Sequence, residues 1–300
     1  MSRPGNYLAD ALAGALTQAP ANLVVTYHYI RPANSDGVTG ITPERFAAHL
    51  RLIRSSYEIV PAEEFCLRRE QETGLALITF DDAVRDQFDY AAPVLEAFNV
   101  PAVFYAPMRP YADDGSDHWC TQHLLHALAQ ELGWRELERR VVRLIGDPAC
   151  DEAEMNRIYH YEVPMKRRLK YLLAFTLPAG VAAESLRAIN TTIGLDASDW
   201  YISSDELGAL QASGHALGGH GFDHVPYTTL TPSQQESDMR RAHRRMTELF
   251  GDRPRTMAYP FGRADETTRR LARQFGYIHA FTTDDRVDGM NIDIPQGVLA

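Results

Sequence analysis

Apolar and polar positions along this chain switch between a period near two and a period near 3.6, and the switching predicts its elements. Leu23 to Ile30 (L-V-V-T-Y-H-Y-I) is a β-prone run closed by the loop R-P-A-N-S-D-G, so it reads as a first strand with His28 near its C-terminal end. Thr42 then caps a helix with Pro43 at its first position and Phe46, Leu50 and Ile53 at helical spacing. Tyr57 to Val60 is a short strand. Leu75 to Asp82 (L-A-L-I-T-F-D-D) is an apolar run of strand length, suited to burial on both faces, that stops on two adjacent carboxylates. Ala91, Val94, Leu95 and Phe98 mark the next helix, and Val100 to Ala106 the next strand.

From residue 112 to residue 195 the pattern is helical without clear strands, with helices expected at Leu124–Leu132, Trp134–Ile145 and Met165–Phe175. Alternation resumes with a helix capped at Ser203, a short strand from His215 to Gly218, and a helix over 232–250. A strand from Arg255 to Tyr259, a helix from Glu266 to Phe275 and a strand from Tyr277 to Phe281 follow, and the acidic stretch beyond has room for one more short strand. Strands alternating with helices are the signature of parallel β/α units, so the expected fold class is α/β. A length of 300 residues permits one large β/α barrel or two smaller domains. We read a single domain over 1–300, with 112–195 as a helical insertion between two barrel strands, where such insertions can roof a site.

Composition narrows the function. The formal charge of −10, with no Lys/Arg-rich run to offset it, disfavours nucleic acid as a partner and suits an uncharged or cationic substrate. Cys66, Cys120 and Cys150 are widely spaced, which argues against a disulfide framework and a cysteine zinc site. The apolar patch from Leu8 to Leu16 is interrupted by Asp10, so it reads as an amphipathic helix rather than a signal peptide. No apolar run approaches the roughly 20 residues needed to span a bilayer. A cytoplasmic location is therefore expected, and the oligomeric state stays open.

Three stretches carry candidate chemistry. Asp81 and Asp82 end a buried strand, which is where α/β enzymes keep their sites, whereas helix capping needs only one Asp. The segment G-H-A-L-G-G-H-G-F-D-H contains His220 and His224; on a helical turn they would share a face and could clamp a divalent ion. Histidines four apart also arise by chance, but adding Asp82 makes a three-ligand set with open positions, the layout of catalytic zinc. The turn A-Y-P-F-G, with Tyr259, Pro260 and Phe261 as candidate substrate-binding residues, could present a backbone N–H to an oxyanion. His118, His123 and His126 are expected to be surface or lid residues, and Tyr159, Tyr161, Trp200 and Tyr201 to pack a core rather than stack on a sugar ring.

The ordered combination T-F-D-D, H-x-x-x-H and Y-P-F-G resembles the polysaccharide deacetylase family, the carbohydrate esterases with a NodB homology domain. The stretches T-Y-H-Y-I and I-T-P-E-R-F-A-A-H-L agree with it. The likeness covers about 23–107 and 200–283 and leaves the helical insertion unmatched. The resemblance implies a distorted, incomplete β/α barrel of about seven parallel strands with a divalent metal, usually zinc, at its mouth. It also implies Asp81 as catalytic base and Asp82, His220 and His224 as metal ligands. Water on such an ion has a pKa near about 7, so a carboxylate suffices to take its proton, and the backbone N–H of Phe261 would help hold the oxyanion.

Two departures stand out. The late L-x-H motif is missing, and Thr26, Tyr27 and His28 resemble the permuted arrangement of some members, which makes His28 the candidate general acid. Ala83 stands where the family usually has Gly, which restricts the backbone there. The expected function is a metal-dependent hydrolase removing an N-acyl group, in the first place acetyl, from an amino sugar of a glycan or glycan precursor. The alternatives are hydrolysis of another small or cyclic amide, and a catalytically silent carbohydrate-binding protein of the same fold.

Overall fold

A computed structural model of the chain describes residues 22–282 except 36, 116, 161 and 252, together with the backbone of 290–293. The apolar patch from Leu8 to Leu16 and Tyr161 lie outside the described residues. Eight strands form one sheet: β1 Leu23–Tyr27, β2 Glu58–Ile59, β3 Leu75–Asp81, β4 Val103–Ala106, β5 Ala216–Gly219, β6 Thr256–Ala258, β7 His279–Phe281 and β8 Met290–Asp293. Every ladder is parallel, the order is β7-β6-β5-β4-β3-β1-β8, and β2 pairs with β3 off this path. No ladder joins β7 to β8 among the described residues, so the curled sheet is a distorted, incomplete β/α barrel.

Side chains alternate across each strand, and the core follows that parity. Leu23, Val25 and Tyr27 of β1, Ala76, Ile78 and Phe80 of β3, and Phe104 and Ala106 of β4 pack into one cluster with helix residues such as Phe46, Leu50 and Leu207. Val24, Leu75, Leu77, Val103, Tyr105 and Ala258 form a second cluster on the opposite face. Continuing that second parity past the strand ends reaches His28, Asp81 and His220, so the alternation itself sends these three toward one side at the C-terminal mouth. Register aligns the ends: Tyr27 is opposite Phe80, and Asp81 opposite Tyr105.

The helices nearest the sheet start as their sequences dictate. The helix α1 (Pro43–Arg54) is capped by Thr42, whose side chain accepts from the Arg45 N–H, and it buries Phe46, Leu50 and Ile53. A short helix α2 (Ala62–Arg68), not expected from the sequence, lies between β2 and β3. The helix after β3 opens with a π-helical turn, Gln87–Ala91, before α3 (Ala92–Phe98).

Between the adjacent strands β4 and β5 lie α4 (Thr121–Leu132), α5 (Trp134–Ile145), α6 (Glu152–Ile158), α7 (Pro164–Tyr171) and α8 (Ala179–Ile193). The chain continues from α7 as a π-helical turn, Leu172–Thr176, where one straight helix to Phe175 was expected. The unforeseen α8 buries Ala182, Ser185, Leu186 and Ile189. Its stripe has helical spacing, but small residues fill half of it, so the apolar signal is weak. These helices share an apolar cluster that includes Leu124, Leu128, Leu137, Leu169 and Leu186.

The chain returns through α9 (Ser204–Ala212), which has a full capping box between Ser203 and Glu206. The last helices are α10 (Pro232–Phe250) and α11 (Glu266–Gln274). Among the described residues no helix is long and apolar enough to cross a membrane.

Phe80 is the hinge of the larger cluster. Its ring meets Tyr27 at 5.6 Å, Phe46 at 5.6 Å and Phe104 at 5.0 Å between centroids. Phe80→Ala is expected to cost about 3–5 kcal/mol, read as a lower midpoint in urea unfolding, while Phe80→Leu retains most of that stability.

Candidate active site and metal centre

The backbone turns sharply where β3 ends. Asp82 has φ 81° and Ala83 φ 51°, the left-handed region that non-glycine residues rarely adopt. This turn reconciles two neighbouring carboxylates with one site: Asp81 leaves along the strand parity, and the reversal at Asp82 swings the second carboxylate to the same mouth. Gln87, in the π-helical turn that follows, donates through its side-chain amide to the backbone carbonyls of His28 (2.8 Å) and Asp81 (2.5 Å). It thereby clasps the ends of β1 and β3, and His28 Nε2 lies 3.9 Å from Asp81 Oδ2.

The second arm comes from β5. Its Gly-Gly ending is sterically required, because a Cβ at Gly218 would sit 2.3 Å from the Tyr105 ring and one at Gly219 2.6 Å from the Tyr277 hydroxyl. His220 follows, with its backbone N–H donating to the Ala106 carbonyl at 3.2 Å. The segment from His220 to His224 is not helical, contrary to the helical turn that the spacing suggested. Gly221 has φ 72° and His224 φ 51°, and the loop is held from outside. The buried Asp238 carboxylate, on α10, accepts from the N–H groups of Phe222 and Asp223 and from the Tyr227 hydroxyl, each at 2.9 Å. Met108 and Arg109 donate their backbone N–H groups to the Gly221 and Phe222 carbonyls. Three tertiary clamps therefore place the two histidines together where helix geometry was expected to do so.

Asp82, His220 and His224 converge. Their ligating atoms lie within 4.8 Å of one another, all three residues are buried, and Nε2 of His220 and His224 are 3.4 Å and 3.0 Å from Asp82 Oδ1. His220 Nδ1 lies 2.8 Å from the Ala258 carbonyl, so this nitrogen carries the proton and donates. In the neutral ring that leaves a bare Nε2 lone pair facing a carboxylate oxygen, an opposition of two acceptors that a cation relieves. Two imidazoles and a carboxylate are a suitable donor set for zinc or a similar divalent ion, so the residues fit such a group.

Electrostatics act differently on the three side chains. Burial disfavours charge on Asp82, but the imidazoles of His123 and His224 outweigh it and hold the carboxyl well below its usual range. Burial also works against a charged His220, yet Asp81 and Asp82 prevail and raise its pKa. His224 is pushed down to about 4 by burial and by its His123 and His220 neighbours, against the pull of Asp82. A histidine that stays neutral at pH 7 is ready to ligate.

The turn after β6 is a single 3-10 turn, Pro260–Gly262, in which Phe261 has φ 58°. Its hydrogen bonds use the N–H groups of Gly262 and Arg263, leaving the Phe261 N–H outside the turn's own bonding. The Phe261 ring lies 5.2 Å from His224 and 5.7 Å from Phe175 of the insertion. The Tyr259 ring packs instead with Tyr227, Met257 and Leu271 beneath the turn, and Pro260 is buried.

Several residues at the site were missed or misplaced by sequence reasoning. His118 is exposed as expected, but His123 and His126 are buried rather than surface or lid residues. His123 Nε2 is 3.2 Å from Asp82 Oδ1. Tyr159 and Tyr201 are buried as core residues, and Tyr201 pairs with Val84 in an antiparallel bridge beside the Asp82 turn. Gln87 and Asp238 carry no motif that would reveal their roles as clamps.

With this geometry in view, comparison with known proteins is informative. Residues 171–280 match the family model described as polysaccharide deacetylase. Over that range the chain is similar to the polysaccharide deacetylase family. The matched range holds His220, His224 and the 260–262 turn, and Asp81 and Asp82 join them through the fold. YxkH of Bacillus subtilis (strain 168), which its name assigns to the polysaccharide deacetylases, is 21% identical over 281 residues, spanning 92% of this chain and 69% of that protein. The Streptococcus pyogenes deacetylase PplD in complex with acetate shares the fold with a TM-score of 0.56 at 14% identity, over 92% of this chain and 93% of that one. IcaB from Ammonifex degensii gives 0.54 at 17% identity, over 94% and 90%. A de-N-acetylase from Aggregatibacter actinomycetemcomitans gives 0.54 at 12% identity, over 92% and 94%.

Two outcomes follow for metal binding. Zinc at 100 times its dissociation constant is expected to stabilise the chelator-treated protein by about 2.7 kcal/mol in a thermal-shift titration, and Asp82→Ala or His224→Ala to remove that gain. Asp238→Ala, which frees the loop without touching a ligand, is expected to weaken zinc binding about 10- to 100-fold in a chelator competition assay.

Proposed function

We propose that this chain is a metal-dependent hydrolase that removes an N-acyl group, in the first place acetyl, from an amino sugar of a glycan or glycan precursor. The observation that carries the reading is a layered site. Side chains of Asp82, His220 and His224 are 4%, 2% and 7% exposed, whereas His28 and Asp81 beside them are 17% and 14% exposed. The deeper layer suits ligands, and the shallower pair can meet a substrate. The Aggregatibacter protein is by its name a de-N-acetylase, and we carry that bond type to this chain.

When bound, a divalent ion, zinc in the first place, supplies a Lewis acid and a water whose pKa is lowered to about 7. Asp81 is the base that accepts a proton as the water oxygen adds to the acyl carbon. The Phe261 N–H, outside its turn's own bonding, donates to the oxyanion that develops on the acyl oxygen. His28 delivers a proton to the amide nitrogen as the C–N bond breaks, leaving a free amine and a carboxylate. Gln87 keeps the acid and base adjacent by holding both of their backbone carbonyls. The half-buried Phe261 and Phe175 rings form an apolar wall to which the insertion contributes, and we assign the sugar ring to it.

The direct test is acetate release from N-acetylglucosamine oligomers by the zinc-loaded protein. Release is expected to stop on chelation and return with zinc. Asp81→Asn and His28→Ala are each expected to lower kcat about 10²- to 10⁴-fold with little effect on KM. Turnover of small cyclic amides with none on N-acetylated sugars would overturn the substrate assignment, and full activity in both variants would overturn the roles of Asp81 and His28.

A further inference from the structure

The insertion places beside the Asp82 carboxylate one residue that the three motifs do not supply. His123 lies in the first turn of α4, is 1% exposed, and directs Nε2 at Asp82 Oδ1 from 3.2 Å. The corresponding distances for His220 and His224 are 3.4 Å and 3.0 Å, so His123 stands in the same shell around the carboxylate. Its ring centroid is 4.8 Å from that of His224, the same separation as between His220 and His224.

A histidine buried for packing has both ring nitrogens satisfied. His126, three residues further along α4, is such a case: Nδ1 pairs with the Tyr29 hydroxyl and Nε2 with the Gln122 side chain. His123 differs. Its Nδ1 is 2.7 Å from the Tyr201 hydroxyl, while its buried Nε2 faces the Asp82 carboxylate without the alignment of a hydrogen bond. The Tyr201 oxygen already accepts from the Cys120 N–H at 3.2 Å and can accept a second bond from Nδ1–H. That tautomer leaves Nε2 with a bare lone pair aimed at Asp82, the same logic by which Ala258 orients His220. Tyr201 is itself fixed next to the Asp82 turn, because the Ile202 N–H donates to the Ala83 carbonyl at 2.9 Å and Arg85 N–H to the Trp200 carbonyl at 2.8 Å.

We propose that His123 is a fourth protein ligand of the ion held by Asp82, His220 and His224, which makes the helical insertion part of the metal centre. The proposal rests on the metal-dependent reading above and deepens it. The set becomes three imidazoles and one carboxylate, and binding the ion ties α4 to the barrel mouth. An ion that accepts five or six donors then keeps room for water and substrate.

The test compares chelator-stripped wild type with His123→Ala and His123→Gln, the second keeping a polar side chain in case the first does not fold. Zinc dissociation constants come from competition with a chromophoric chelator, cobalt visible absorption reports the coordination number, and amide hydrogen exchange follows residues 121–132. Both variants are expected to raise the zinc dissociation constant at least about tenfold. They are also expected to change the cobalt bands and to lose the exchange protection that metal confers on α4 in wild type. A rise of less than tenfold with an unchanged cobalt spectrum overturns the role of His123 and leaves the three-ligand site standing. A folded wild type that takes up no metal overturns the metal-dependent reading together with it.

Discussion

Burial of the Asp82 carboxylate is the constraint on which the rest of the site depends. A carboxylate taken out of water is costly unless charge and hydrogen bonding compensate, and here the groups that face it are imidazoles brought by separate parts of the chain. Each imidazole is positioned in turn by something further out. His220 is oriented by the Ala258 carbonyl, His123 by the Tyr201 hydroxyl, and the loop carrying His224 by Asp238. The centre is thus a set of nested supports, and a divalent ion at its middle would complete the charge balance that the protein groups begin.

Backbone strain gathers at the same place. Of the described non-glycine residues with positive φ, Asp82, Ala83, His224 and Phe261 belong to the site or adjoin it, and Asn99 ends a helix elsewhere. Each such conformation costs on the order of 1–2 kcal/mol, which surrounding packing must offset. Ala83 illustrates the balance. Its methyl is buried in the larger apolar cluster, a gain of about 0.8 kcal/mol by area, and this partly compensates for an alanine at φ 51° where a glycine would be unstrained. The strained turn matters chemically because without the reversal at Asp82 two successive side chains would face opposite sides of β3.

The insertion changes the meaning of the barrel mouth. It arises between two strands that are neighbours in the sheet, so the sheet continues beneath it without interruption. Its helices keep an apolar cluster of their own, yet Phe175 and His123 reach Phe261 and Asp82. A segment that carries none of the three motifs therefore reaches both the 260–262 turn and the Asp82 carboxylate.

What the sequence determined by itself was local and periodic. The eight-residue run ending in Asp81 and Asp82, the capped helix after Thr42 and the helix over 232–250 were all legible, because alternation and capping act over a few residues. The three ordered motifs added a family resemblance, since their combination is specific where each alone is not. Tertiary structure alone decided the rest. His220 and His224 are joined by a clamped loop instead of a helical turn, because Asp238 and Met108 lie far away in the chain. His123 reads as one more polar position on a helix until folding brings α4 against the Asp82 turn. A contact between distant residues leaves no periodic trace, and only packing in three dimensions determines which imidazoles share a carboxylate.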